Sequence, residues 1–399
     1  MKCGRSLPAG EPECPACAAQ NARSALRPET VLFLCFPALL CFFALTSFAV
    51  RRYNEKEQAL GEQWFVKGQA ALHQGLAFKA IEDFRTALAY ARDDPEYQLQ
   101  LALALVAGKR PDEARSYLLS LWNSEPESGP INLELGRLSA GRGEVGDAVR
   151  FYHSAIYGQW EDDPAAHRRT ARLELYQFLQ SRGAKSEARA ELMALAADLP
   201  PDPTLHIQAG NLFLGAGDYD EALKEFRQAL LLDRNQAAAQ AGAGEAAFRK
   251  ADYLEAQRYL ERAVRAQPKN AEAAQLLETT NLILEFDPFD SRTTAEERAR
   301  RAVRAYGQAM SRLKNCAQER HEVLDKEQPQ TTLQTIYALA TKMQPQAREH
   351  SLSRDPEMTT ALVNLALEIE EITARTCGPP SGLDRALLLI AEKRGRAKS

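Results

Sequence analysis

An alanine recurs through the middle of this 399-residue chain at a nearly constant interval. It stands at Ala80, Ala114, Ala148, Ala188, Ala222 and Ala256, spaced by 34, 34, 40, 34 and 34 residues. Four residues after each comes a large apolar side chain: Phe84, Leu118, Tyr152, Leu192, Phe226 and Leu260. Three further on stand Ala87, Leu121, Ala155, Leu195, Ala229 and Ala263. That i, i+4, i+7 stripe is one face of a helix. Twelve residues before each alanine lie Gly68, Ala102, Gly136, Tyr176, Gly210 and Gly244, and the glycines predict that two helices approach closely there. Pro126, Pro200 and Pro268 close three of the copies, because a proline ring cannot continue a helix. Each period is therefore two helices and a stop. The six-residue excess around "QWEDDPAAHRR" predicts a lengthened helix or loop between the third and fourth copies.

A period of about 34 residues built from two helices resembles the tetratricopeptide repeat. The resemblance covers roughly residues 61–285, with degenerate copies: only the first has the early tryptophan, Trp64, and the fourth carries Tyr176 at a place usually held by a small residue. One helical pair cannot bury its apolar face alone, so neighbours must stack. The resemblance implies a superhelix whose concave surface, made by the first helix of each pair, is a groove for another polypeptide. Residues 271–286 read as one further first-type helix, capping the stack.

On that register the groove candidates are Phe65, Gln69 and Leu72, then Leu99, Leu103 and Val106, then Leu133 and Arg137. Later copies offer Ile207, Asn211 and Leu214, and then Glu245, Phe248 and Arg249. The first half is unusually apolar for a face turned to water, and an exposed apolar strip marks a partner site. An amphipathic helix or an extended apolar peptide suits it. A phase error of one position would instead bury these side chains between neighbouring repeats, and that alternative stays open. A carboxylate-clamping subclass of the resembled family uses lysines and asparagines at these places. Only Asn211 matches, so that mode is not expected.

The N-terminal end has a different composition. Residues 30–50, "TVLFLCFPALLCFFALTSFAV", carry no charge. A helix of roughly 20 apolar residues crosses a bilayer core, and Pro37 kinks such a helix without forbidding it. A buried core helix and a cleaved secretory signal ending near "SFA" are the alternatives; the polar leader and the length of the run favour an uncleaved anchor. The leader holds Cys3, Cys14 and Cys17, and its "CPAC" knuckle resembles half of a short bacterial zinc ribbon. Ser6 stands where that resemblance wants a fourth thiolate, so zinc, the one candidate cofactor, lacks a ligand of the usual four. Basic residues flank both ends of the apolar run, and the positive-inside rule casts no vote. Thiols in the leader suit the cytosol, which puts the repeats beyond the membrane and makes Cys316 and Cys377 candidates for a disulfide.

These observations define an all-α chain. Its expected parts are a cytosolic leader (1–29), a transmembrane helix (30–50), a linker (51–60), a solenoid of about six repeats with a capping helix (61–286) and a C-terminal helical domain (287–399). In the last part, Arg298, Arg300, Arg301, Arg304 and Arg312 make one side of a helix basic. An anionic-lipid or nucleic-acid surface and a solvated face laced with Glu296, Glu297 and Glu319 both fit, and the second is preferred. With 50 basic and 54 acidic residues, net −4, the chain gives no reason to expect nucleic acid. No H-E-x-x-H, phosphate loop or nucleophile elbow occurs, so no catalytic residue is assigned. The expected function is a membrane-anchored bacterial scaffold, in the inner membrane with its solenoid periplasmic, binding a protein in envelope assembly, quality control or secretion. The rivals are a regulatory sensor using the cysteine leader and an enzyme using the C-terminal bundle.

Overall fold

The computed structural model describes residues 28–290 and 293–398. Among these the chain is helical throughout, with one 3-10 turn, Gln344–Gln346, and no strand beyond an isolated bridge between Ser128 and Gln159. It divides into two compact units, Met1–Leu175 and Tyr176–Ser399.

The first unit contains α1 (Pro28–His73), α2 (Ala77–Tyr90), α3 (Pro95–Ala107), α4 (Pro111–Ser124), α5 (Gly129–Arg142), α6 (Val145–Tyr157) and most of α7 (Pro164–Ser181). Successive helices pair as the register requires: α1 with α2, α3 with α4 and α5 with α6. The repeated stripe is the core, with Ala80, Phe84, Ala87, Ala114 and Leu118 fully buried. Gly68 meets the Phe84 ring so closely that a Cβ there would lie 2.7 Å from it. Helix starts are set locally: the Asp94 carboxylate accepts from the backbone N–H of Glu96 and Tyr97 at 3.0 and 3.1 Å, and Pro95 opens the first turn. One recurring bond has no obvious sequence signal. Four places before the glycine position, the amides of Gln98 and Asn132 reach back to the carbonyls of Arg92 and Pro126, at 3.0 and 2.8 Å. Each ties an inner helix to the loop that precedes it.

The six-residue excess is absorbed in two ways. α7 runs for 18 residues, and the loop before it folds back over the start of α5. Gln159 exchanges backbone hydrogen bonds with Glu127 and Gly129, both at 2.8 Å. Trp160 donates to the Ala155 carbonyl at 2.9 Å and stacks on His167, ring centroids 4.5 Å apart. Gly129 lies beneath that indole, where a Cβ would come within 2.3 Å.

Residues 51–60, read from the sequence as a linker, lie inside α1, which runs unbroken into the first repeat. Among the described residues no helix is long and apolar enough to cross a membrane. The apolar run 30–50 begins on residues whose side chains fall outside that description. Its described large apolar side chains, among them Phe36, Leu39, Phe42, Phe43, Leu45 and Phe48, are more than half exposed.

The second unit continues the pattern with α8 (Lys185–Ala197), α9 (Pro203–Ala216), α10 (Tyr219–Leu232), α11 (Ala237–Arg249), α12 (Tyr253–Ala266) and α13 (Ala271–Phe286). Gly217 ends α9 in the left-handed region, φ 80°. Gly210 and Gly244 admit Phe226 and Leu260 as Gly68 admits Phe84, and the Gln240 amide repeats the backward tie, to the Arg234 carbonyl at 2.9 Å.

Beyond α13 the chain builds a bundle from α14 (Ala295–Glu319), α15 (Thr332–Met343), the single turn α16 (Glu349–Leu352), α17 (Pro356–Cys377) and α18 (Gly382–Lys398). α14 packs on α17, while α18 packs on α17 and returns to cover α13. One apolar core therefore runs from Ala247 in the last repeat to Ala391 in the last helix. The basic side of α14 is not uniformly solvated. Arg301 donates to the Leu284 and Asp287 carbonyls at 3.2 and 2.8 Å, satisfying the end of α13, and Arg312 is largely buried.

Candidate functional site

The candidate site is the set of first-helix side chains that the repeat register assigned to the groove; in the first unit Leu72, Leu99 and Val106 pack against the core with part of their surface left open. In the first unit, Leu72, Leu99, Leu103, Val106 and Gln69 are half-buried. Phe65 is buried, stacked on Tyr97 with centroids 4.5 Å apart, and Leu133 is buried too. Those two leave almost no surface open to solvent. Tyr97 donates to the Glu62 carboxylate at 3.1 Å; burial first, and then that carboxylate, pushes its phenol up to about 12.

Arg137 is exposed and spans two repeats. Its Nε and Nη2 donate to the Glu174 carboxylate at 2.8 and 2.6 Å, a bidentate pair, and its Nη1 donates to Glu134. Tyr152 donates to the same Glu174 at 3.4 Å. Burial pushes the Glu134 carboxyl upward against the opposing pull of Arg137, and the hydrogen bond to Glu174 pushes the Arg137 guanidinium upward. Burial, then the Glu174 charge, pushes the Tyr152 phenol upward. Two carboxylates share one guanidinium, so this end of the strip is acidic. Glu134 and Glu174 were not among the sequence candidates. They occupy one register place, two residues before Gly136 and Tyr176, so the repeat alignment was a signal that could have found them.

In the second unit, Ile207 and Leu214 are half-buried and Asn211 is exposed. Beside Ile207, His206 Nδ1 lies 2.7 Å from the buried Glu225 carboxylate. Phe248 is buried, packed edge-on to Tyr253 at 5.6 Å. Glu245 is half-buried and paired with Arg249 at 3.2 Å. The leader cysteines Cys3, Cys14 and Cys17 lie outside the described residues. Among the described residues no group of three or more His, Cys, Asp or Glu side chains is placed to hold a metal ion. Cys316 and Cys377 form a disulfide, Cα atoms 5.8 Å apart.

Comparison with known proteins agrees with this register. Residues 213–279 match the family model of the tetratricopeptide repeat, and the described residues are all-α, with successive helices paired in each unit. A stretch of 108 residues is 31% identical to DnaJ homolog subfamily C member 3 of Gallus gallus. That match takes in 27% of this chain and 20% of the relative, so the chain spans about a fifth of that protein's length. Among solved structures, the PilF protein of Pseudomonas aeruginosa is 14% identical, with 55% of this chain and 97% of that one covered and a TM-score of 0.38. YrrB, described as a TPR protein with an unusual peptide-binding site, is 18% identical over 48% of this chain and 95% of its own, TM-score 0.36. PilW, described as a type IV pilus biogenesis factor, is 17% identical over 54% and 98%, TM-score 0.38. Likeness at that level is too weak to carry function.

Proposed function

We propose that this chain is a non-enzymatic scaffold, tethered to a membrane by the apolar part of α1, that holds a protein partner along the first helices of its early repeats. The observation that carries the reading is the row Leu72, Leu99, Leu103 and Val106, apolar side chains left half-open where the repeat architecture has its inner surface. The acidic end at Glu134 and Glu174 favours a partner whose apolar face is followed by a lysine or arginine. The tether is supported by the large apolar side chains of α1 between Phe36 and Val50, which lie more than half exposed. A location on the inner membrane of a bacterium, with the repeats on the oxidising side, accords with the disulfide. Envelope assembly, quality control or secretion is the class of process that such an anchored adaptor serves.

A photo-crosslinking amino acid placed at position 103, and separately at the exposed Glu82 on α2, tests the site in intact membranes. Position 103 is expected to give a discrete heavier adduct that position 82 does not. Equal adducts from both, or none from 103, reject the inner face as the docking surface. Carbonate extraction of the same membranes reports the tether independently: release of the chain into the soluble fraction rejects it.

A further inference from the structure

We propose that the Cys316–Cys377 bond is a thiol-operated lock that keeps the C-terminal helix α18 seated on α13, the last first-type helix of the repeats. The disulfide joins the final turns of α14 and α17, and 61 residues separate its cysteines. One turn inward from Cys316 stands Arg312, whose guanidinium has little contact with solvent. Its Nε donates to Thr373 Oγ1 at 3.0 Å and its Nη2 to the Gly378 carbonyl at 2.9 Å. It also pairs with Glu370 at 3.3 Å and Asp384 at 3.7 Å, and Asp384 accepts from Gln308 at 2.8 Å. Thr373 and Glu370 belong to α17, and Asp384 to the first turn of α18. Gly378, directly after the second cysteine, has φ 92° and ψ 177°, a conformation essentially restricted to glycine, and there the chain leaves α17 for α18. A single guanidinium thus holds the end of α17, the turn and the root of α18.

This cluster does not stand securely by itself. Two carboxylates oppose one guanidinium, Glu370 is wholly buried, and neither of its oxygens has a hydrogen-bond partner of good geometry. Buried polar groups left without hydrogen-bond partners favour opening. The covalent bond one turn away restrains the helix ends that carry them, and losing it restores the freedom of a long loop. Toward its other end α18 buries Leu387 and Ile390 in the core shared with Ile283 and Phe286 of α13. Further along, Lys393 lies over Tyr253 at 5.2 Å, and Arg394 lies over Phe289 at 3.7 Å and donates to Asn364 of α17.

The step is thiol–disulfide exchange. A dithiol's thiolate attacks Sγ of Cys377, the less buried of the two residues, and the electron pair of the broken S–S bond leaves on Cys316. The second thiol of the reductant then attacks the mixed disulfide and releases Cys377. Both cysteines take up protons and the reductant leaves as its disulfide. Closing the lock is the reverse, with a disulfide as the two-electron oxidant.

Hydrogen exchange of the full chain in detergent, with and without dithiothreitol, tests the lock; mass spectrometry after alkylation confirms the bond's state. On reduction, amides of 382–395 and 271–286 are expected to exchange faster by about a hundredfold, while those of 77–142 stay unchanged. A Cys316→Ser/Cys377→Ser variant in oxidising buffer is expected to match the reduced protein. Unchanged protection of 382–395 overturns the proposal. So does an equal loss across 77–142, which marks general unfolding, or a bond that dithiothreitol fails to open in the folded chain. None of these outcomes bears on partner docking at the early repeats.

Discussion

The repeats and the C-terminal bundle are both helical, but they assemble by different rules. In the repeats the contacts are between helices near in sequence, and the same positions make the same contacts in several copies: the alanine stripe, a glycine against a ring at Gly68, Gly136 and Gly210, and the backward amide tie at Gln98, Asn132 and Gln240. In the bundle the decisive contacts join distant residues once only: Arg312 to Thr373, Gln308 to Asp384, Cys316 to Cys377. Arginine–carboxylate pairs occur in both regions, which makes them the sharpest probe of the difference. In the repeats they lie on the surface and recur. In the bundle the pairs made by Arg312 are buried and occur once, beside exposed ones such as Arg375–Glu371.

The largest effect is expected at Arg312. Replacing it with methionine leaves the Asp384 carboxylate without its guanidinium partner in a low-dielectric interior. Breaking a buried pair in this way costs about 3–5 kcal/mol. The added change Asp384→Asn is expected to recover most of that loss, because the penalty lies in the orphaned charge rather than in the bond. Urea denaturation of the three proteins measures both. A single variant that is nearly neutral would show that the bundle relies on its arginine no more than the repeats rely on theirs.

A smaller effect follows from pH. Burial, and then the neighbouring Asp384 charge, push the Glu370 carboxyl up to about 8 against the pull of Arg312. Its folded-state value lies above the unfolded one, so its contribution to stability is complete below the ordinary carboxylate range and is lost as pH rises through about 8. Between pH 7 and 9 the bundle is expected to lose about 1 kcal/mol on this account. Glu370→Gln removes the dependence. Thermal unfolding at the two pH values, followed with a reporter in the bundle, reads the difference; a Glu370→Gln protein with the same slope assigns it to another group.

How much of this was legible in the sequence divides along the same line. The six alanines, their partners four and seven residues on, and the glycines opposite Phe84, Phe226 and Leu260 announced the helix pairs, because a local contact made many times leaves a period. The acidic pair Glu134 and Glu174 was legible in principle, since both hold one register place, but two copies of six make a faint pattern. The backward ties of Gln98, Asn132 and Gln240 share a position yet not a residue type, so the pattern is hidden in chemistry common to amides. Arg312 resembled one more cation on a basic face, and its burial depends on α17 and α18 arriving from some sixty and seventy residues further on. The helical state of residues 51–60 was illegible for another reason: charged and polar residues at the edge of an apolar run suit a coil and an exposed helix equally well, and here they continue α1.

The smallest expected effect lies in the repeats' own arginine ladder. Arg85 pairs with Glu113 at 3.0 Å, and Arg227 pairs with Glu255. The arginine sits five residues after the repeat's alanine in both cases, and the glutamate just before the alanine of the next. Each pair links neighbouring second helices, and its members remain substantially exposed. Water already solvates both charges, holding two long side chains in one geometry costs entropy, and salt screens what is left. A double-mutant cycle on Arg85 and Glu113 is therefore expected to give a coupling below about 0.5 kcal/mol, falling further in high salt. Stacking in these repeats then rests on the apolar stripe, with the ladder fixing register at little energetic weight. A coupling that approached the Arg312 value, or that survived high salt, would mean that the repeats too are fastened by their charges, and the contrast between the two regions would disappear.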